Sequence, residues 1–261
     1  MENRSRRMAL RCAALVALLV NIGFNYFYKF LPFIHKSVTE VSSGYSNLFT
    51  PAGYALGIWA VIYLSFLVYG IYQLLPTQRD RILYDRLSIP LIVANLLNIG
   101  WIILYTVELM GFSALIMTLT LLNALPMFVL VRNRIRDCEY SGWVGVPFSL
   151  YTAWITVAVI ANVSQWLASL GWYSDVIGQL PWAVLMIIVT VILTFHISIK
   201  YSDWIFSAVI TWALLSIWLA NYRTNHIMAL AALSAAIVLG NWSIAYAAWQ
   251  VRKSLQPVDR D

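Results

Sequence analysis

"FTPAGYALGIWAVIYL", residues 49–64, carries a proline at its third position and runs without a single charge. The apolar character continues to residue 75. A segment of that length suffices for a helix crossing ~30 Å of hydrocarbon, which takes roughly 20 residues. Within it Gly53 and Gly57 stand four apart, as do Trp59 and Tyr63. On a helix this spacing places small side chains on one face and aromatic ones on the face beside it.

Seven further stretches of similar length flank this one, near 8–28, 83–106, 112–132, 143–168, 179–199, 203–221 and 226–250. Of the 261 residues, 61% are hydrophobic and only 11% are charged. Soluble domains carry roughly 25% charged residues. The fold class that follows is all-α: a polytopic membrane bundle of eight transmembrane helices. The first stretch reads as a retained helix and not a cleaved signal, because no small-residue cleavage pattern follows Val20.

Basic residues are kept on the cytoplasmic side during insertion. Eight crossings with both termini cytoplasmic place Arg4, Arg6, Arg7, Arg11, Arg79, Arg81, Arg86, Arg132, Arg134, Arg136, Lys200, Arg252, Lys253 and Arg260 on one face, leaving only Lys29, Lys36 and Arg223 opposite. The net charge of +6 is therefore a topology signal, and nucleic acid is not an expected partner. The expected setting is a bacterial inner (plasma) membrane, with the lipid bilayer as the first partner.

Ionisable residues inside spanning helices are costly and mark function by default. Every Asp and Glu of this chain falls at a helix end or in a connection, and no lysine lies mid-span. His196 is the one histidine inside a span and has no acidic partner in its own stretch. Cys12 and Cys138 offer neither a disulfide framework nor metal-ligand spacing. Proton pumping, metal transport and nucleophilic catalysis lose their usual residues, so no enzyme and no metal site are expected.

What the spans do hold is amides and aromatics. Asn21, Asn25, Asn95, Asn98, Asn123, Asn162, Gln165 and Asn241 lie within them. Most such amides join helices, each bond contributing ~0.6–2 kcal/mol. Three stripes are more pointed. Leu56, Trp59 and Tyr63 follow one face of the second span; Asn98, Trp101 and Tyr105 follow one face of the third; Tyr151, Trp154, Ala158, Asn162 and Gln165 make a stripe on the fifth. Such faces suit an apolar pocket with a few orienting polar groups, and plain bundle core produces the same pattern. Residues 29–51 form the one long connection, a candidate lid. Residues 169–181 are a second segment able to cover the same end. A faint echo links "TAWITVAVIAN" at 152–162 with "TWALLSIWLAN" at 211–221.

The three stripes resemble the signatures of the TspO/MBR family, the tryptophan-rich sensory proteins that include the mitochondrial translocator protein. Pro51, Trp59 and Tyr63 keep the family's second-helix spacing, with Thr50 where its first proline would stand. "LNIGW" matches the third helix through Leu97, Asn98 and Trp101. "LYTAWITVAVIAN" matches the fifth through Tyr151, Trp154, Ala158 and Asn162, with Leu150 replacing a proline. The resemblance covers residues 8–168. It implies a five-helix unit, 1–168, with a three-helix extension, 169–261, packed on the same bundle.

It further implies a pocket for a bulky or flat hydrophobic molecule of the tetrapyrrole or sterol class, lined by Trp59, Tyr63, Asn98, Trp101, Tyr151, Trp154 and Asn162. No cofactor is expected beyond a bound porphyrin or lipid. The expected function is binding or sensing, with transport or lipid carriage as the alternative. Pro51 starts the second helix, while Gly53 and Gly57 let a neighbour approach, either within the bundle or across a homodimer.

Overall fold

The computed structural model describes residues 2–45, 47–172 and 178–255. Nine α-helices and no strand occur among the described residues: α1 Glu2–Phe27, α2 Val38–Gly44, α3 Ile58–Tyr72, α4 Ile82–Thr106, α5 Met110–Arg136, α6 Val146–Ser169, α7 Gln179–Tyr201, α8 Trp204–Asn221 and α9 His226–Leu255. All but the short α2 belong to segments long and apolar enough to span a membrane, which makes eight. The protein is an all-α polytopic membrane bundle.

Local chemistry sets several boundaries. Ser37 and Glu40 form a reciprocal capping box that starts α2. The Asp203 carboxylate accepts from the Ile205 and Phe206 amides and so caps α8. Two helices contain prolines, Pro90 in α4 and Pro126 in α5. The Asn123 amide of α5 donates to the Pro90 carbonyl at 2.9 Å and so joins α5 to α4.

The second span departs from expectation. It begins as a 3-10 helix, Gly53–Gly57, and only then becomes α-helical. With three residues per turn, a step of four no longer returns to one face, so Gly53 and Gly57 point differently. A Cβ added at Gly57 would meet nothing within 4 Å, whereas one at Gly53 would lie 3.2 Å from the Thr39 methyl of α2. The expected close approach at Gly57 is thus not made within the chain. The glycines that admit tight neighbours are Gly70, against Leu15, and Gly145, against Ile135, where an added Cβ would come within 2.8 Å.

Packing follows a chain of neighbours: α1 on α3 and α4, α4 on α5, α5 on α6, α6 on α8, and α8 on α9, with α7 touching α5, α8 and α9. At its most apolar stretch α6 has 72% of its residues buried, against 22–50% for the other spans. It is the axis around which the bundle is built. Large side chains such as Leu64, Ile192, Leu230 and Ile244 point outward, as a lipid-facing surface requires. His196 is also on this outward surface.

One end of the bundle is tied by arginines. Arg11 is only 1% exposed. Its Nε donates to Asp85 at 2.7 Å, and its other N–H groups reach the carbonyls of Gln73, Gln78, Arg79 and Arg81. All five guanidinium donors are thereby used, which is what makes a buried arginine tolerable. Arg132 donates to the Tyr201 carbonyl, and buried Asp203 beside it accepts from Ser149. The opposite end carries α2 and the cavity described next.

Candidate functional site

α3, α4 and α6 turn their stripes toward one another. On α3 the rings of Trp59 and Tyr63 stack with centroids 5.3 Å apart, and on α4 Trp101 and Tyr105 do so at 5.1 Å. The four-residue spacing of each pair produces this geometry directly. The Trp101 indole N–H donates to Asn162 Oδ1 at 2.9 Å, and the Tyr105 hydroxyl donates to Gln165 Oε1 at 2.8 Å, so α4 and α6 are pinned at two levels.

Above these contacts lies a cavity of about 490 Å³, within the range of small-molecule sites. Its floor is Trp59, Trp101, Trp154, Met117 and the small residues Ala158 and Ala161. Its roof is the 38–53 segment, with Val38, Thr39, Ser42, Tyr45, Thr50 and Pro51 facing inward. The far wall belongs to the end of α8 and the following turn: Ala220, Asn221, Thr224 and Asn225.

The predicted site residues divide at this point. Trp59, Trp101, Trp154 and Asn162 line the cavity, as do Pro51 and Gly53. Tyr63, Asn98 and Tyr151 do not. They lie deeper, around a gap of only about 20 Å³ shared with Leu18, Asn21 and Phe66. The reason is side-chain volume: α1 and the large rings fill the lower half, whereas alanines face the upper half. Trp59 lines both spaces and separates them.

The deeper amides hold helices together. Asn21 donates to Asn95 at 2.9 Å, Asn25 donates to Asn21, and the Tyr63 hydroxyl donates to Asn98 at 3.2 Å. Asn98 is thus bonded into the bundle.

The roof is anchored on several sides. Val41 and Phe49 are each 1% exposed and plug it into the bundle. Gln165 donates to Ser42 of α2, Asn221 donates to the Leu48 carbonyl at 3.0 Å, and the Ala52 amide donates to the Ser216 carbonyl. Lys36 pairs with Glu108 at the α4–α5 connection, and the Tyr45 hydroxyl donates to the other Glu108 oxygen at 3.0 Å. The bond from Lys36, and then that from Tyr45, holds the Glu108 carboxyl below the usual carboxylate range. Glu108 itself sits at φ 62°, a left-handed conformation uncommon for a non-glycine residue.

The second expected covering segment, 169–181, takes a different place. Its residues 173–177 lie outside the described residues. Trp172 packs edge-on against Trp182, whose N–H donates to Ser164, and none of its described residues lines the cavity. The turn after α8 closes that side instead.

Asn221 is a lining residue that the motif comparison missed. Its signal was the faint echo between 152–162 and 211–221. Asn162 and Asn221 end the two echoing segments; both donate Nδ2 to the carbonyl four residues back at 2.8 Å, and both line the cavity. Gln165 and Tyr105 belonged to the stripes and also line it.

Eight spanning helices, five of which contribute side chains or turns to an aromatic-floored cavity roofed by the chain's own loop, define a polytopic membrane protein with an internal cavity. The model of the TSPO-like protein family matches residues 11–245, and the chain belongs to that family. The match continues past residue 168, where the motif resemblance stopped, through α7, α8 and most of α9. That extent agrees with the contribution of α8 to the cavity wall. Searches of curated proteins and of solved structures found no match.

Proposed function

We propose that the protein binds, and through binding senses, a hydrophobic small molecule of the tetrapyrrole or sterol class in the roofed cavity. The observation that carries this reading is the cavity itself: about 490 Å³ with three indole rings on its floor. Flat apolar ligands stack on such rings. Binding without transport is favoured because the space beneath Trp59 narrows to about 20 Å³, so passage would require the lower half to repack. In the inner membrane of a bacterium, with the arginine-rich end cytoplasmic, the cavity would open outward.

The test is quenching of tryptophan fluorescence by porphyrin in the purified protein. Quenching should saturate, and Trp59→Phe with Trp154→Phe should weaken affinity by tenfold or so, the equivalent of about 1.4 kcal/mol. Unchanged affinity in the double variant would place the ligand elsewhere. Flux of a bound ligand across proteoliposomes would instead favour a carrier.

A further inference from the structure

We infer that the arginine-rich end of the bundle carries a site for one anionic phospholipid, with its phosphate held by Arg81 and Arg86 at the start of α4 and an acyl chain lying along the outer face of that helix. The site is separate from the roofed cavity and does not depend on what that cavity binds.

The apolar half of the site is a stripe on α4. Ile82, Arg86, Ile89, Val93 and Leu96 follow one another by steps of four, three, four and three, which lays them on one helix face. Ile82, Ile89 and Leu96 are each more than half exposed, so this face is turned to lipid. At 1.5 Å per residue it runs about 21 Å from Ile82 to Leu96, enough to cross one leaflet of a ~30 Å hydrocarbon core.

Arg86 stands in that stripe between two lipid-facing isoleucines. It is exposed and has no ion pair or hydrogen bond among the described residues. An arginine facing lipid is costly without a counter-anion, and the neighbouring acids are already engaged. Asp85 accepts from Arg11 at 2.7 Å and lies 3.8 Å from Arg7. Asp80 accepts from Arg4 at 3.2 Å, and Glu139 accepts from Arg134 at 2.6 Å.

The polar half is a recess of about 250 Å³ bordered by Arg81, Arg86, Arg134, Asp80 and Glu139. Arg81 is held in place there. Its guanidinium lies over the Tyr140 ring at 5.4 Å, and its Nη1 donates to the Glu139 carbonyl at 3.2 Å. Since Arg4 and Arg134 already pair with the two carboxylates, Arg81 and Arg86 remain as a surplus of two positive charges. Phosphate oxygens match the donor geometry of guanidinium groups.

Ile82 belongs both to the recess wall and to the stripe, so the two halves are continuous. That continuity favours a phospholipid over a free phosphate, which would use the recess alone. A zwitterionic lipid would bring its own cation beside the arginines, whereas a net anionic one is attracted by both of them.

The experiment is a titration of the full-length protein in detergent with phosphatidylglycerol or with phosphatidylcholine of the same chains, followed by native mass spectrometry. One phosphatidylglycerol should be retained in preference to phosphatidylcholine. Arg86→Gln should weaken its binding roughly fivefold, and Arg81→Gln with Arg86→Gln roughly thirtyfold, as expected for one and two arginines at an anionic surface. Arg223→Gln, which removes a charge near the roofed cavity at the other end, should change nothing. Thermal unfolding without added lipid should be the same for Arg86→Gln and the unaltered protein, because this side chain has no partner to lose. Glycerol phosphate, which has the phosphate and no chains, should not displace the lipid. Undiminished phosphatidylglycerol binding by Arg86→Gln, or equal retention of phosphatidylcholine, overturns the inference. Displacement by glycerol phosphate overturns it too, and assigns the recess to a free phosphate.

Discussion

The upper and lower halves of the aromatic cluster are made from the same stripes and end differently. Below Trp59, Tyr63, Asn98 and Tyr151 meet Leu18, Asn21 and Phe66 and leave a gap of about 20 Å³. Above it, Trp59, Trp101 and Trp154 face alanines and a roof segment, and about 490 Å³ stays open. An aromatic-plus-amide face is thus neither core nor pocket by itself. What decides is the volume brought by the element opposite.

Perturbations should sort by half. The largest stability effect is expected in the lower half. Phe66 packs edge-on against Phe148 at 5.4 Å and Tyr151 at 5.7 Å, so Phe66→Ala should cost about 3 kcal/mol, seen as a clear drop in thermal unfolding temperature in detergent. A drop no larger than that of Leu64→Ala, on the lipid-facing surface, would mean the lower half is not close-packed.

A smaller loss is expected at the boundary. Asn162→Leu leaves the Trp101 N–H and the Ser113 hydroxyl without their acceptor, at a cost of about 1–3 kcal/mol. It should also weaken porphyrin binding, because Trp101 loses its anchor. Stability lost without any change in affinity would separate Trp101 from the site.

The smallest effect belongs to the roof. The Lys36–Glu108 pair is partly exposed, and such pairs contribute about 0.2–1 kcal/mol. Glu108→Gln should leave unfolding almost unchanged while making the cavity tryptophans more accessible to acrylamide. The pH dependence has a definite sign. Lys36 and Tyr45 hold Glu108 below the ordinary carboxylate range, so its contribution is complete above that range and is lost as pH falls through the lowered value. Accessibility should be flat from pH 8 to about 5 and rise only on stronger acidification, and the Glu108→Gln protein should lack that rise.

The fold was largely legible because membrane spans announce themselves through length and apolar composition. Eight stretches became eight helices, with bounds shifted by several residues at some ends. The site was legible in part. Spacing placed Trp59, Trp101, Trp154 and Asn162 on inward faces, and these line the cavity. The same spacing put Tyr63, Asn98 and Tyr151 beside them, because periodicity reports the direction of a side chain and not how its level is filled. Gly57 has no close neighbour within the chain, because its four-residue spacing from Gly53 assumed an α-helix where a 3-10 turn stands. Residues 29–51 could be seen as a lid from their length, but their anchors at Glu108, Gln165 and Asn221 are long-range contacts that no local pattern encodes. Asn221 left only a weak echo.

The central claim is that the ligand occupies the upper half and not the lower. Ala158 is a small residue on the cavity floor, and Ala158→Phe fills the space from within. Tyr63→Phe removes a hydroxyl bonded to Asn98 in the lower half and leaves the cavity intact. Porphyrin titration of the two variants, scored by tryptophan quenching, should show affinity reduced tenfold or more in the first, equivalent to roughly 1.4 kcal/mol, and unchanged in the second. Retained binding in Ala158→Phe together with loss in Tyr63→Phe would contradict the account.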